Sequence, residues 1–398
     1  MPFLPYLHVL RIPRVPTSLL LLVCARLPMT AMGVTLTLHV VSELGRGYGA
    51  AGLVGTATMA GSAIGSPMLG RMIDRRGLRT VAALSGCASA TYWLAAPHLP
   101  YFVLLAVTLP AGMLTVPSGS IARQTLAALV PENRRRTAYS VETILTEVCF
   151  MIGPATGILV VTQVSSTAAL SGIGVAFLLA AVGLFWLNPP VRSATEASTG
   201  HRRPALRSWM SRKLLGTLLT ASGALFVLVG TELAALATLR DSGDVAWTGM
   251  VIAVMCAASL VGGVVHGAAT RSLSQLPLML LLALLVIPAG LFDQTWWLLA
   301  IALIPTNLAC APTLAATTES VTGLAPAHVR GEAMGLQDSA TRTGLALGSP
   351  VVGFVIDHAS PAWGFAASGL GGLLIAAVGM LIARRRTTPA RERVPAHV

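Results

Sequence analysis

Apolar residues in this chain run in blocks of about twenty, without the two-residue or three-to-four-residue spacing of elements that bury only one face. The hydrocarbon core of a bilayer is about 30 Å thick and takes about 20 helical residues to cross. Twelve stretches fit, near 17–41, 50–72, 80–97, 101–129, 138–161, 168–187, 214–239, 245–268, 276–292, 296–322, 334–356 and 362–383. Only short polar connections separate most of them. The pattern predicts an all-α polytopic membrane protein with little chain left for a soluble domain.

Composition agrees. Hydrophobic residues make up 54% of the 398 and mean hydropathy is +0.75, while charged residues are 11% against about 25% in soluble domains. A formal charge of +12 would suggest nucleic acid as the partner of a soluble chain. Here most Lys and Arg fall in the N-terminal segment, the even-numbered loops and the tail. They include Arg134, Arg135 and Arg136, the loop from Asn188 to Lys213, and Arg384, Arg385 and Arg386. That asymmetry is the positive-inside pattern. It puts both termini in the cytoplasm, and makes membrane lipid, not nucleic acid, the partner of the basic groups. Arg11 and Arg14 ahead of a Leu run suggest a secretory signal, but the apolar run continues through Arg26 to Val41, too long for one. Cys24, Cys87, Cys149, Cys256 and Cys310 all lie inside predicted spans, with neither disulfide nor metal-site spacing.

The chain also repeats itself. The stretch from Ala51 aligns with that from Thr248 at an offset of 197, matching Gly52 with Gly249, Ser62 with Ser259, Gly65 with Gly262 and Gly70 with Gly267. Pro117 and Pro131 match Pro312 and Pro326 at 195, and Glu142, Pro154 and Gly157 match Asp338, Pro350 and Gly353 at 196. Six spans return the chain to its starting side, so the two copies enter the membrane from the same side. They form two six-helix bundles related by a pseudo-twofold axis along the membrane normal, an arrangement of alternating-access carriers. The expected organisation is a cytoplasmic segment 1–16, bundles 17–187 and 214–383, a basic linker 188–213 and a tail 384–398.

Between the second and third spans stands GRMIDRRGLR, residues 70–79. It resembles motif A of the major facilitator superfamily, GxxxDRxGxR, through Gly70, Asp74, Arg75, Gly77 and Arg79, and departs from it at Leu78. The second-half counterpart carries Arg271 in place of Asp74. The resemblance implies the superfamily's twelve-helix fold. It also implies a latch in which the Asp74 carboxylate meets the N-terminal end of span eleven, near Glu332 to Asp338, when the cytoplasmic side closes. A second stretch, CFMIGPATGI from Cys149, is similar to motif C of the drug and proton antiporter branch, matching Gly153, Pro154 and Gly157, with Cys149 and Ile158 where that motif has glycine. This likeness implies proton-coupled efflux and a span five bent to pack against span eight. Proton-coupled uptake of a nutrient or metabolite is the alternative.

Ionisable groups inside spans are costly and therefore functional candidates. Arg26 and Glu147 lie near the middle of spans one and five, placed to meet, and Glu232 lies in the outer half of span seven. These three are the candidate proton or substrate site. Arg123, Glu142, Glu319, Asp338 and Arg342 lie nearer the cytoplasmic ends of their spans. They are expected to buttress a cytoplasmic gate as the pairs Arg123 with Glu142 and Glu319 with Arg342. The chain lacks HExxH, GxSxG and Walker sequences, which argues against an enzyme and against a nucleotide-driven pump. The expectation is a monomeric secondary transporter of a small molecule, driven by protons and needing no metal or cofactor. Buried charges of both signs leave anionic and cationic substrates open.

Overall fold

The apolar blocks become helices in the computed structural model, which describes residues 4–46, 48–192, 209–244, 247–269 and 273–384. Residues 193–208 of the expected linker, Arg271 and residues 385–398 of the tail lie outside the described residues. In chain order the α-helices are α1 (Leu4–Leu10), α2 (Val15–Ser42), α3 (Tyr48–Arg76), α4 (Leu78–Ala95), α5 (Tyr101–Met113), α6 (Ser118–Leu129), α7 (Arg135–Gln163), α8 (Ser166–Leu187), α9 (Arg212–Asp241), α10 (Thr248–Ala268), α11 (Gln275–Val286), α12 (Trp296–Leu308), α13 (Cys310–Leu324), α14 (Arg330–His358) and α15 (Pro361–Arg384).

Nine helical segments among the described residues are long and apolar enough to cross a membrane, with α5–α6 and α12–α13 each counting as one. Helices α3, α4 and α14 fall short because Gly, Ser, Thr and charged residues dilute them. The same residues let them pack against other helices.

Each long segment of the middle of either half breaks at a matching place. α5 gives way to α6 over residues 114–117, and α12 to α13 at Ala309. Pro117 and Pro312, partners in the repeat, stand at or just inside the start of the second piece, where a missing N–H costs little. Just before each break the helix is crossed by a matched glycine: a Cβ on Gly65 would collide with the Met113 backbone, and one on Gly262 with the Leu308 backbone. The internal repeat is thus expressed as repeated close contacts, α3 on α5 and α10 on α12.

Two large apolar cores follow the same division. One joins buried residues between Leu22 and Leu184, including Trp93, Leu104 and Phe177; the other joins residues between Ala224 and Ala376, including Met279, Leu303 and Phe365. A smaller cluster crosses between them, seating Val9, Val15, Leu126 and Tyr139 with Ala315.

Candidate functional site

Contacts between the two halves concentrate on two seams, α3 with α14 and α7 with α10. Along the first, small residues recur every fourth position, the spacing at which helix backbones approach closely. A Cβ on Gly70 would strike the Gly331 carbonyl, and one on Gly335 the Ser66 carbonyl. The Ser339 hydroxyl donates to the Ala63 carbonyl. At the end of this seam the Asp74 carboxylate accepts from two backbone amides of the first turn of α14, Gly331 N at 3.1 Å and Glu332 N at 2.8 Å. The first N–H groups of a helix have no partner within it and carry its positive dipole end. An anion from the other half supplies both needs. Charge-assisted bonds of this kind contribute about 1.5–3 kcal/mol each.

Two arginines brace this contact that the motif does not include. Arg71, one turn before Arg75 on α3, donates from Nη2 to Glu332 Oε1 at 2.6 Å. Arg192, just past α8, donates from Nη2 to the Asp74 carbonyl at 2.6 Å and lies 3.7 Å from the Asp74 carboxylate. Gly77 takes φ +81, the left-handed region, where the chain turns from α3 into α4. Arg75 is exposed. Arg79 turns outward, donating from Nε to the Phe185 carbonyl at 3.2 Å with its guanidinium 5.7 Å from that ring's centre.

At the corresponding end of the second seam the partners are neutral. Thr137 at the start of α7 donates to the Gly267 carbonyl at 2.6 Å. The Tyr6 hydroxyl of α1 reaches the α10 carbonyls of Val264 at 2.6 Å and Gly263 at 3.1 Å. Burial pushes the Tyr6 phenol up to about 12, so it remains a donor at neutral pH. Nearby, Arg136 of α7 pairs with Glu319 of α13 at 3.2 Å.

The buried charges pair differently from the sequence expectation. Arg26 reaches Glu142, Nη2 to Oε1 at 2.7 Å, and also donates to the Thr146 hydroxyl; it does not meet Glu147. Arg123 faces Asp338 at 3.8 Å, where Glu142 was expected, and Arg342 also binds Asp338, Nε to Oδ2 at 3.0 Å. Glu319 pairs with Arg136, so Arg342 is not its partner. Helix rotation explains the first correction. Glu142, Thr146, Cys149, Gly153 and Gly157 form one stripe of α7, and this stripe faces α2: Thr30 donates to the Cys149 carbonyl at 2.9 Å, and a Cβ on Gly153 would strike the Thr30 side chain. Glu147 lies five residues from Glu142, about 140° around a helix that turns about 100° per residue.

That rotation also redirects the Gly153-Pro154-Gly157 stretch, which packs on α2 of its own half and not on α10, while α7 runs unbroken through Pro154. The face of α7 that does meet α10 carries Ile144 and Glu147. Glu147 accepts from the Ser259 hydroxyl of α10 at 3.0 Å and lies within electrostatic reach of Glu232 on α9. Among the described residues neither carboxylate has a basic group at ion-pair distance. Ser66 and Arg71 went unmarked in the sequence, and Ser259 was marked only as the repeat partner of Ser62. The signal for the two serines was their place among small residues at four-residue spacing; for Arg71 it was a charge standing between the named positions Gly70 and Asp74.

A described chain that is all-helical, internally repeated, largely apolar, and joined between its repeats by a carboxylate on a helix N-terminus is a membrane carrier. It belongs to the Major Facilitator Superfamily, whose family model matches residues 18–292 and 246–397. This is a family of transporters and not of enzymes. No curated protein matches the chain. Solved structures share its fold. A bacterial homologue of the iron transporter ferroportin, in an outward-facing state, aligns over 94% of this chain and 100% of its own with TM-score 0.74 and 15% identity. The human organic anion transporter MFSD10 (TETRAN) aligns over 92% and 98%, with TM-score 0.71 and 17% identity. The proton:xylose symporter XylE aligns over 93% and 96%, with TM-score 0.70 and 12% identity.

Proposed function

We propose that this transporter works as a monomer of twelve spans in two bundles, 17–187 and 214–383, and exports a small molecule by proton-coupled alternating access. Both termini and the basic linker 188–213 lie on the cytoplasmic side, as does the Asp74 face. The observation that carries this reading is the Asp74 carboxylate on the first turn of α14, a contact made across the two copies of the repeat. Such a contact holds the cytoplasmic face shut and must break for it to open. The conformer described here is then the one closed toward the cytoplasm.

Glu147 and Glu232 are the coupling pair. Both are acidic groups at membrane depth without a counter-charge among the described residues, and such groups mark proton and ion pathways. Glu147 also bridges the moving seam through Ser259, so the separation of α7 from α10 changes its surroundings. Arg26, bound to Glu142, holds α2 to α7 within one bundle.

The test begins with a compound panel in cells with and without the gene, where greater accumulation without it identifies an exported compound. In proteoliposomes, Glu147→Gln is then expected to abolish uphill movement of that compound under a pH gradient and to leave counterflow exchange at least partly active. Gradient-driven accumulation at the wild-type level would remove Glu147 from the coupling role and direct the same test to Glu232.

A further inference from the structure

Deep between α2, α6, α7 and α14, three guanidinium groups meet two carboxylates: Arg26 with Glu142, and Arg123 and Arg342 with Asp338. The groups are contiguous. A Cβ on Gly119 would lie 2.9 Å from Arg26 Nη2 and 3.4 Å from Arg123 Nη2, so both guanidinium groups stand over that glycine, and Arg123 and Arg342 share Asp338. The cluster is one positive charge in excess. Membrane depth makes an uncompensated charge costly.

The excess is localised by the hydrogen bonds. Arg26 and Arg342 donate to carboxylates at 2.7 and 3.0 Å. Arg123 does not: its Nε and Nη2 are buried without a hydrogen-bond partner, and Asp338 at 3.8 Å is beyond hydrogen-bond reach. Nε and Nη2 are the two parallel donors of one guanidinium edge, spaced to match the two oxygens of a carboxylate. Asp338 is drawn away from that edge: its Oδ2 accepts from Arg342 Nε at 3.0 Å and the Ser66 hydroxyl at 2.6 Å, and its Oδ1 stops 3.8 Å from Arg123 Nη2.

We propose that this edge of Arg123 receives the carboxylate of an organic monoanion, which is the transported substrate class; this rests on the carrier reading above. In the conformer described here the edge is sealed. It becomes available when α6 and α14 part on the Asp74 face, where the substrate anion replaces Asp338 as the partner of Arg123, beside the Arg26–Glu142 pair. The substrate thus binds best to the conformer in which the latch is open.

Benzoate, its neutral isostere benzamide and chloride serve as probes of the purified full-length protein, read by thermal unfolding in detergent at equal ionic strength. Benzoate is expected to raise Tm by a few degrees over chloride, and benzamide is not. From benzoate titrations, Arg123→Gln should weaken apparent affinity about tenfold or more. Arg123→Lys should also weaken it, because the charge remains but the two-donor edge is lost. Asp338→Asn should strengthen it by removing the competitor, an effect opposite in sign to that of a misfolded variant. Equal shifts from benzoate and benzamide, or full benzoate affinity in Arg123→Gln, would overturn the proposal. Such a result with compound export intact would leave the carrier reading standing, whereas normal benzoate binding with no benzoate exchange in vesicles, export of the panel compound being intact, would overturn the assignment of the bound anion as the transported class.

Discussion

The α3–α14 and α10–α7 seams are built from corresponding pieces of the repeat, yet they are fastened by different chemistry. On α3, Gly70 lies against the backbone of Gly331, and Asp74 one turn later binds two amides of α14. On α10, Gly267 matches Gly70, but it faces side chains, those of Tyr6 and Ser140, and its carbonyl is held by the Thr137 hydroxyl. At these matched ends one seam has a backbone contact and a charge, and the other has side-chain contacts and neutral hydrogen bonds. Duplication supplies the geometry, and the charged fastener has been kept in one copy.

The contrast is broken most severely at the matched glycines. Gly70→Ala forces a methyl group into a carbonyl that belongs to a helix and cannot turn away, an overpacking cost of about 1–3 kcal/mol. Transport should fall about tenfold or more at equal expression. Gly267→Ala meets the Tyr6 hydroxyl, the far end of a side chain that can swing aside, and the Ser140 Cβ, which moves only with α7; transport should fall less than in Gly70→Ala. Equal losses in the two variants would mean that the seams are equivalent.

Asp74→Asn comes next. The asparagine offers one acceptor oxygen to two amide donors and turns an N–H group toward one of them. The loss of charge-assisted bonds worth about 1.5–3 kcal/mol each should reduce transport about tenfold while membrane insertion and yield remain unchanged. Wild-type transport by this variant would reduce the contact to a topological turn. A smaller effect than that of Asp74→Asn is expected from Tyr6→Phe, which removes one neutral donor from the Val264 and Gly263 carbonyls, about 1 kcal/mol, and should change the rate no more than about fivefold.

What the sequence disclosed and what it hid have separate physical causes. The all-helical apolar character, the repeat and the meeting of Asp74 with the head of α14 were readable, because they depend on apolar block length, on Gly and Pro at fixed offsets and on a motif whose charge sits at a helix end. Pairing inside the membrane was not. Depth favoured Glu147 for Arg26, because Glu142 lies about one and a half turns nearer the start of α7; the choice of Glu142 is made by the rotation of α7, which brings the stripe through Gly153 and Gly157 against α2. Arg123 and Arg342 converge on Asp338 because α6 and α14 touch across the halves. Repeat symmetry, which suggested pairs within each half, contains no information about such a crossing. The breaks at 114–117 and at Ala309 were legible only afterwards, from Pro117 and Pro312 occupying matched places.

The central claim, that the halves rock and that Asp74 fastens the face on which it lies, is tested most directly by pairs of spin labels in a variant lacking native cysteines. Labels at Arg75 and Gly323, exposed positions on the Asp74 face, report one opening; labels at Glu43 and Asp241 report the opposite one. Distance distributions with two populations are expected at each face, the short form at one accompanying the long form at the other. Asp74→Asn should shift the Arg75–Gly323 pair toward the longer distance and the Glu43–Asp241 pair toward the shorter. A single unchanged distance at both faces, in wild type and variant alike, would contradict the account.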